Sequence, residues 1–418
     1  MCYNIIMNRN ERQAIYNAAS NMRRSVLTFG KSICRSLNKV KTRFVCEMLF
    51  GMMTAQDVKL TKIGAALGEE CPLKSTVERL YRNLNAFDSQ NSLEQEYMKK
   101  VAKKCRKDTL LLVDGGDITK PYGSKFEGLS RVRDGSTGRI EKGFPTIGAI
   151  ALTGDKLPLP IYEKIYSYET GDFVSENHET FATLDFLQKH FSDEKIRVFD
   201  RGYDSSIVTE KLLESGVKFI VRAVGNRLVN HNGKDLSILE IAKKFKGKYR
   251  MDFTDQKGKT KECKIWITPI EMDGNPLNLV ICHGFAGKPL MLVTNVFDDD
   301  QSVCVAIVKC YLMRWKIEEF YRFKKQTFHF EDIRVLSLKS MNNLNFLLNL
   351  LIGFLSMKST DKADKPIIVA LVNQVKRIFH AKNLLYPLCA GIFAVFAITK
   401  LALPTNLPAV FHGQLAWF

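Results

Sequence analysis

Two short, mostly apolar runs, LLLV at 110–113 and IRVF at 196–199, each close on an aspartate, Asp114 and Asp200. Runs of this kind predict strands buried on both faces, and such strands need a sheet covered by helices. Around them the pattern predicts further strands at 146–152, 157–165 and 218–222, with helices at 180–190 and 205–214. Three strands followed by helix, strand, helix and strand give an α/β fold, a mixed sheet flanked by helices. Residues 226–298 change character: short alternating stretches at 264–268, 277–283 and 290–295 lie between Gly, Asp, Asn and Pro turns, which predicts a β-rich insertion. A long helix is expected over 303–327, and mostly apolar helices after it. The expected division is 1–105 helical, 106–225 first part of the core, 226–299 β-rich insertion, 300–335 second part of the core, and 336–418 a helical region that is a candidate for dimerisation.

Charge narrows the partners. Lys and Arg number 62 against 44 Asp and Glu, a net +18 at pH 7 in 418 residues, which favours a polyanionic partner, nucleic acid or an acidic membrane surface. With 45% hydrophobic residues, wholesale disorder and a collagen-like repeat are excluded. The ten cysteines include no C-x-x-C pair and the seven histidines no H-E-x-x-H, so reduced thiols in a cytosolic protein are expected, without a zinc site. Residues 1–10 are polar and do not read as a secretory signal. The apolar run at 384–398, bracketed by Lys382 and Lys400, is shorter than the roughly 18–20 residues of a membrane span and predicts a buried helix.

Within the N-terminal region, 54–68 predicts one helix ended by Gly68, and 73–84 a second, with Ser75 or Thr76 as its cap. Helix, short turn and basic helix is the outline of a helix-turn-helix, in which Arg79 and Arg82 are candidates for DNA contact. A plain helical hairpin with a solvated basic face has the same outline.

A third acid joins the two aspartates. In YLMRWKIEEFYRFKK (311–325), at about 100° per residue, Tyr311, Arg314, Glu318 and Lys325 fall within an arc of about 60°. Ala306, Cys310, Met313, Ile317 and Phe320 form an apolar stripe beside them, while Glu319 points away. Each acid has an ordinary reading, a turn residue after a strand or an i,i+4 ion pair of Arg314 with Glu318. Together, without a Cys/His framework, they suit hard cations such as Mg²⁺ or Mn²⁺ and phosphodiester chemistry. Arg314 and Lys325 are then placed to meet phosphates, and Tyr311 to hydrogen-bond or stack. Other chemistries fit less well: no Walker A and no G-x-S-x-G is present, and a glycosidase leaves the positive charge unexplained.

At these residues the chain resembles the DDE transposases of bacterial insertion sequences, of the insertion-sequence-four type. Tyr311, Arg314, Glu318 and Lys325 match the Y-(2)-R-(3)-E-(6)-K signature at every spacing, and 200–204 (DRGYD) looks like the D-R-x-x-D motif of the second aspartate. The segment LLVDGGDITK (111–120) looks like the first-aspartate motif, usually D-x-T, with Gly116 in place of the threonine and Asp117 as a competitor to Asp114. The resemblance implies an RNase H-like core interrupted by the β insertion. It also implies cut-and-paste transposition with two Mg²⁺ ions, which Mn²⁺ can replace, held by Asp114, Asp200 and Glu318. Arg201, Tyr311, Arg314 and Lys325 would contact DNA, with Arg139 and Lys142 as weaker candidates. The implied partners are terminal inverted repeats, target DNA and a second copy of the chain, in a bacterial cytoplasm. Some members stack a flipped base on an insertion-domain tryptophan to make a hairpin; here 290–295 lacks one and the nearest is Trp266. The alternatives are an inactive DNA-bound regulator descended from a transposase, and an RNase H-like nuclease that cuts without joining.

Overall fold

The structure is a computed structural model that describes residues 9–135, 137–154, 158–254, 258, 260–285, 287–373 and 384–403. Leu157, Cys2 with most of the polar start, Lys382, and residues 374–383 and 404–418 of the C-terminal region lie outside the described residues.

Five helices come first among the described residues: α1 (Arg9–Ile33), α2 (Lys39–Ala55), α3 (Leu60–Leu67), α4 (Leu73–Ala86) and α5 (Gln90–Lys104). The single helix expected over 54–68 is in fact the end of α2, a break, and α3. Gln56 turns left-handed (φ 48°) to close α2, and the Asp57 carboxylate accepts the Lys59 amide at 2.8 Å, so a local side-chain turn displaces the helical bond. Neither Ser75 nor Thr76 caps α4; it starts after Pro72, and the Thr76 hydroxyl instead donates to Glu69 at 2.6 Å.

The core strands follow: β1 (Leu110–Thr119), β2 (Ser130–Arg133), β3 (Ile140–Leu152), β4 (Pro158–Ile165), then α6 (Glu176–His190), β5 (Arg197–Phe199), α7 (Ser206–Glu214) and β6 (Phe219–Arg222). β4, β3 and β1 are joined antiparallel, and β1, β5 and β6 parallel. That order, 4-3-1-5-6, with two parallel crossovers carrying α6 and α7, is the RNase H-like arrangement.

The insertion comprises β7 (Leu228–His231), β8 (Lys234–Ser237), α8 (Ile238–Lys244), β9 (Tyr249–Thr254), β10 (Thr260–Met272), β11 (Asn275–His283) and β12 (Leu290–Thr294). It continues the core sheet. β12 pairs antiparallel with β6, Val293 opposite Val221, so the described strands form one sheet of twelve.

The helix expected over 303–327 is two: α9 (Gln301–Leu312) and α10 (Trp315–Thr327). Between them the amides of Arg314, Lys316 and Ile317 bond three residues back, to Tyr311, Met313 and Arg314. This tighter winding rotates the phase. In α9 the buried positions are therefore Cys304, Ile307, Val308 and Tyr311, while Ala306 of the expected stripe is exposed; Ile317 and Phe320 of α10 are buried as the stripe requires.

The chain continues through α11 (Leu338–Thr360), α12 (Lys365–Asn373) and α13 (Leu385–Thr399). α11 packs on β4 and on α2, α4 and α5, and α13 on α1, α2 and α12. None of the described helices is long and apolar enough to cross a membrane. Gly353 of α11 marks the closest approach: a Cβ there would lie 2.0 Å from the hydroxyl of buried Tyr97, which donates to the Pro160 carbonyl of β4 at 2.7 Å. Gly353→Ala is accordingly expected to cost about 1–3 kcal/mol of stability through overpacking, measured as a lowered denaturant midpoint.

Candidate active site

Val113 of β1 is opposite Phe199 of β5 in the parallel ladder, so Asp114 and Asp200, the next residues, stand on neighbouring strands. Asp200 follows the end of β5. Asp114 does not end β1, as its sequence setting suggests. It sits mid-strand, and β1 runs on through Gly115 and Gly116 to Thr119, paired with β3 along its length. Glycine is needed at two places here. A Cβ on Gly116 would lie 2.8 Å from the Thr146 hydroxyl, and one on Gly148, opposite Asp114, 2.7 Å from the Tyr321 hydroxyl. The room thus left admits Tyr321, which donates to the Asp114 carbonyl at 2.9 Å.

Arg314, at the break between α9 and α10, links the three acids. Its Nη1 is 2.7 Å from Asp114, its Nη2 2.5 Å from Glu318 and its Nε 3.7 Å from Asp200. The Tyr311 hydroxyl donates to Asp200 at 3.2 Å. Burial pushes the Asp114 carboxyl up to about 7; Arg314 opposes that shift, and Asp200 and Glu318 add to it. For Arg314 burial works against the charge, but Asp114, Asp200 and Glu318 outweigh it and hold the guanidinium above its ordinary value. A partly buried acid with two acidic neighbours is a place that favours added positive charge.

The donor set fits hard divalent cations: carboxylate oxygens only, gathered around one positive centre. Among the described residues no three His, Cys, Asp or Glu side chains are drawn together closely enough to hold a metal ion as they stand, because the guanidinium lies among these three.

The remaining sequence candidates divide. Lys325 does not contact Glu318; it reaches Asp117 at 3.1 Å and Glu331 at 3.0 Å. Asp117 also accepts the Gly135 amide at 3.1 Å, so it belongs to a second group, further along β1. Asp114 and Glu318 of the first group and Asp117, Lys325 and Glu331 of the second line one cavity of about 680 Å³, with Tyr321, Arg322 and Lys324. Arg201 is exposed in the short 3-10 turn after Asp200, and Asp204, the second acid of DRGYD, accepts the Val224 amide at 2.5 Å. Arg79 is drawn into the protein, bonded to buried Glu47 and, at 2.8 Å, to Glu69, whereas Arg82 is exposed. Trp266 is partly buried and stacked on Phe245, with ring centroids 4.9 Å apart.

Sequence reading passed over Tyr321 and the pair Lys324–Glu163. Lys324 and Glu163 are 2.5 Å apart and 1% and 2% exposed. Asn345 of α11 accepts from Lys324 at 2.6 Å, Asn349 donates to Glu163 at 3.0 Å, and the ammonium lies 3.9 Å from the centre of the Phe330 ring. The pair ties α10, which bears Glu318, to β4 and α11.

The sequence profile of the transposase DDE domain matches residues 106–354. The chain belongs to the DDE transposase family. The matched span of this transposase runs from just before β1 into α11 and contains all three acids around Arg314. Among solved structures, that of the piggyBac transposase synaptic complex with hairpin DNA aligns with 99% of the transposase chain and 88% of its own, at 12% identity and a TM-score of 0.43. No curated protein matches.

Proposed function

We propose that this DNA transposase moves a bacterial insertion sequence of the insertion-sequence-four type by cut and paste, with Asp114, Asp200 and Glu318 as its catalytic acids. The observation that carries the reading is the convergence of these acids, from β1, the end of β5 and α10, on the Arg314 guanidinium, within a chain of the DDE family. Tyr311, Arg314, Glu318 and Lys325 keep the Y-R-E-K spacing, which favours the insertion-sequence-four type. The same three acids would hold two Mg²⁺, or Mn²⁺ in their place. Bound there, such ions supply activation of an attacking oxygen and neutralisation of charge on a leaving one.

The protein's own groups do the rest. Tyr321 fixes the main chain at Asp114, and Tyr311 orients the Asp200 carboxylate. Arg314, Lys325, Arg201 and Arg82 are the cations offered to phosphate; Arg79 keeps α4 on α2 through Glu47. Water would cut the strand at the element end, and the freed 3′-OH would then attack target DNA. Joining two ends calls for paired subunits, a homodimer in its simplest form, and a bacterial cytoplasm is the setting this chemistry implies.

The test is a cleavage-and-joining assay with Mg²⁺ or Mn²⁺ on the DNA flanking the gene. Wild type should give 3′-OH ends that join a second DNA. Asp200→Asn and Asp114→Asn should abolish both steps, whereas Asp117→Asn should stay within about tenfold of wild type, under about 1.4 kcal/mol of barrier. Cutting without joining would favour the nuclease, and binding without cutting the regulator. Equal losses in Asp114→Asn and Asp117→Asn would overturn the choice of Asp114.

A further inference from the structure

We propose that the β2–β3 hairpin is a clamp for the DNA backbone, set about six base pairs from the point of cleavage; the proposal rests on the transposase reading above. Arg131 is paired with Lys142 and Arg133 with Ile140. Because side chains alternate along a strand, these four share one face, and Ser130, Val132, Glu141 and Gly143 share the other. The first four are exposed, whereas Ser130 and Val132 are buried. The strands thus sort charge by face, with the arginines and the lysine on one side and Glu141 on the other. Arg139 at the turn is exposed too, as are Lys125 and Tyr122, the latter 98% exposed, in the preceding loop. Arg131, Arg133, Arg139 and Lys142 have no ion-pair partner among the described residues, in contrast to Arg79, Arg227 and Arg314.

Position makes this face more than a solvated surface. Asp134 and Gly135, in the hairpin turn, line the same cavity as Asp114 and Glu318, and Asp117 holds the turn through the Gly135 amide. The hairpin therefore stands at the rim of the catalytic cavity. Lys142 lies six residues along β3 from Gly148, the partner of Asp114. At about 3.3 Å per residue that is roughly 20 Å. A duplex rises about 3.4 Å per step, so the span matches about six base pairs. A duplex with a scissile phosphate at the acids would carry further phosphates over the hairpin. Unpaired cations there would displace condensed counterions and hold its course.

The experiment compares wild type with Arg131→Ala/Arg133→Ala/Lys142→Ala by anisotropy titration of an element-end duplex from 50 to 200 mM salt. These side chains are exposed, so thermal unfolding should be unchanged and confirms that the variant is folded. Each lost phosphate contact lowers the slope of log K against log salt by about 0.9, so the triple variant should lose up to about 2.7 of it. Protection of the duplex about six base pairs from the cut should vanish with it. Arg131→Lys/Arg133→Lys, with Lys142 intact, should keep the wild-type slope, and Ala at Lys103, Arg106 and Lys107, another exposed basic cluster, should leave it unchanged. Equal slopes for wild type and triple variant would overturn the clamp while the transposase reading stands. A slope that falls only in the Lys103, Arg106 and Lys107 variant would do the same. A wild type that binds no DNA at any salt would remove both.

Discussion

Glu318→Gln is expected to lower strand cleavage by about 10³-fold or more while DNA binding holds or strengthens. A carboxylate that holds a divalent cation secures several kcal/mol of transition-state charge stabilisation, and each 1.36 kcal/mol is a factor of ten. The amide keeps the shape and loses the charge. Stability should stay within about 0.5 kcal/mol of wild type, since the Glu318 side chain is 48% exposed and Arg314 keeps Asp114 and Asp200 as partners. Single-turnover cleavage and equilibrium binding of the same end duplex separate the two quantities. Wild-type cutting by the variant would remove Glu318 from the reaction, and lost binding would make its role structural.

The second large effect is on stability. Lys324→Met should destabilise the protein by about 3–5 kcal/mol, because it leaves the Glu163 carboxylate buried without its cation. Burial holds the Lys324 ammonium below its ordinary pKa against the pull of Glu163, so desolvation weighs heavily on this pair. Removing both charges, as in Lys324→Met/Glu163→Met, should therefore recover most of the loss. Denaturant midpoints at unchanged slope measure it. A double variant as unstable as the single one would mean that the asparagines of α11, and not the ion pair, hold α10 in place.

The α/β class and the order of the core elements were legible because buried strands announce themselves as apolar runs. Asp114 and Asp200 stood out because each closes an apolar run, and Glu318 because Tyr311, Arg314 and Lys325 stand at fixed spacings around it. What lay hidden was set by contacts distant in sequence. Asp114 read as the end of its strand, yet β3 supplies a ladder partner for every residue to Thr119. The 4,3,4,3 stripe in 306–320 assumed one ideal helix, and the three-residue bonds at Tyr311, Met313 and Arg314 reset its phase. One signal was present and went unread: continuing the stripe four residues past Phe320 lands on Lys324, a charge at a core-facing position. Arg79 shows the opposite limit, since no local pattern reveals that Glu47, a helix away, claims its guanidinium.

The pairing of β12 with β6 has a consequence for modularity. The neighbours of β6 are β5, three residues long, and β12. Excising residues 226–299 would remove a lobe and also strip β6 along one side, leaving main-chain donors and acceptors open to any passing strand. A shortened chain of that kind invites edge-to-edge aggregation. The insertion thus acts as the terminating half of the core sheet, and loss of its outer strands, β7, β8 and β9, should leave β6 covered, whereas loss of β12 should not.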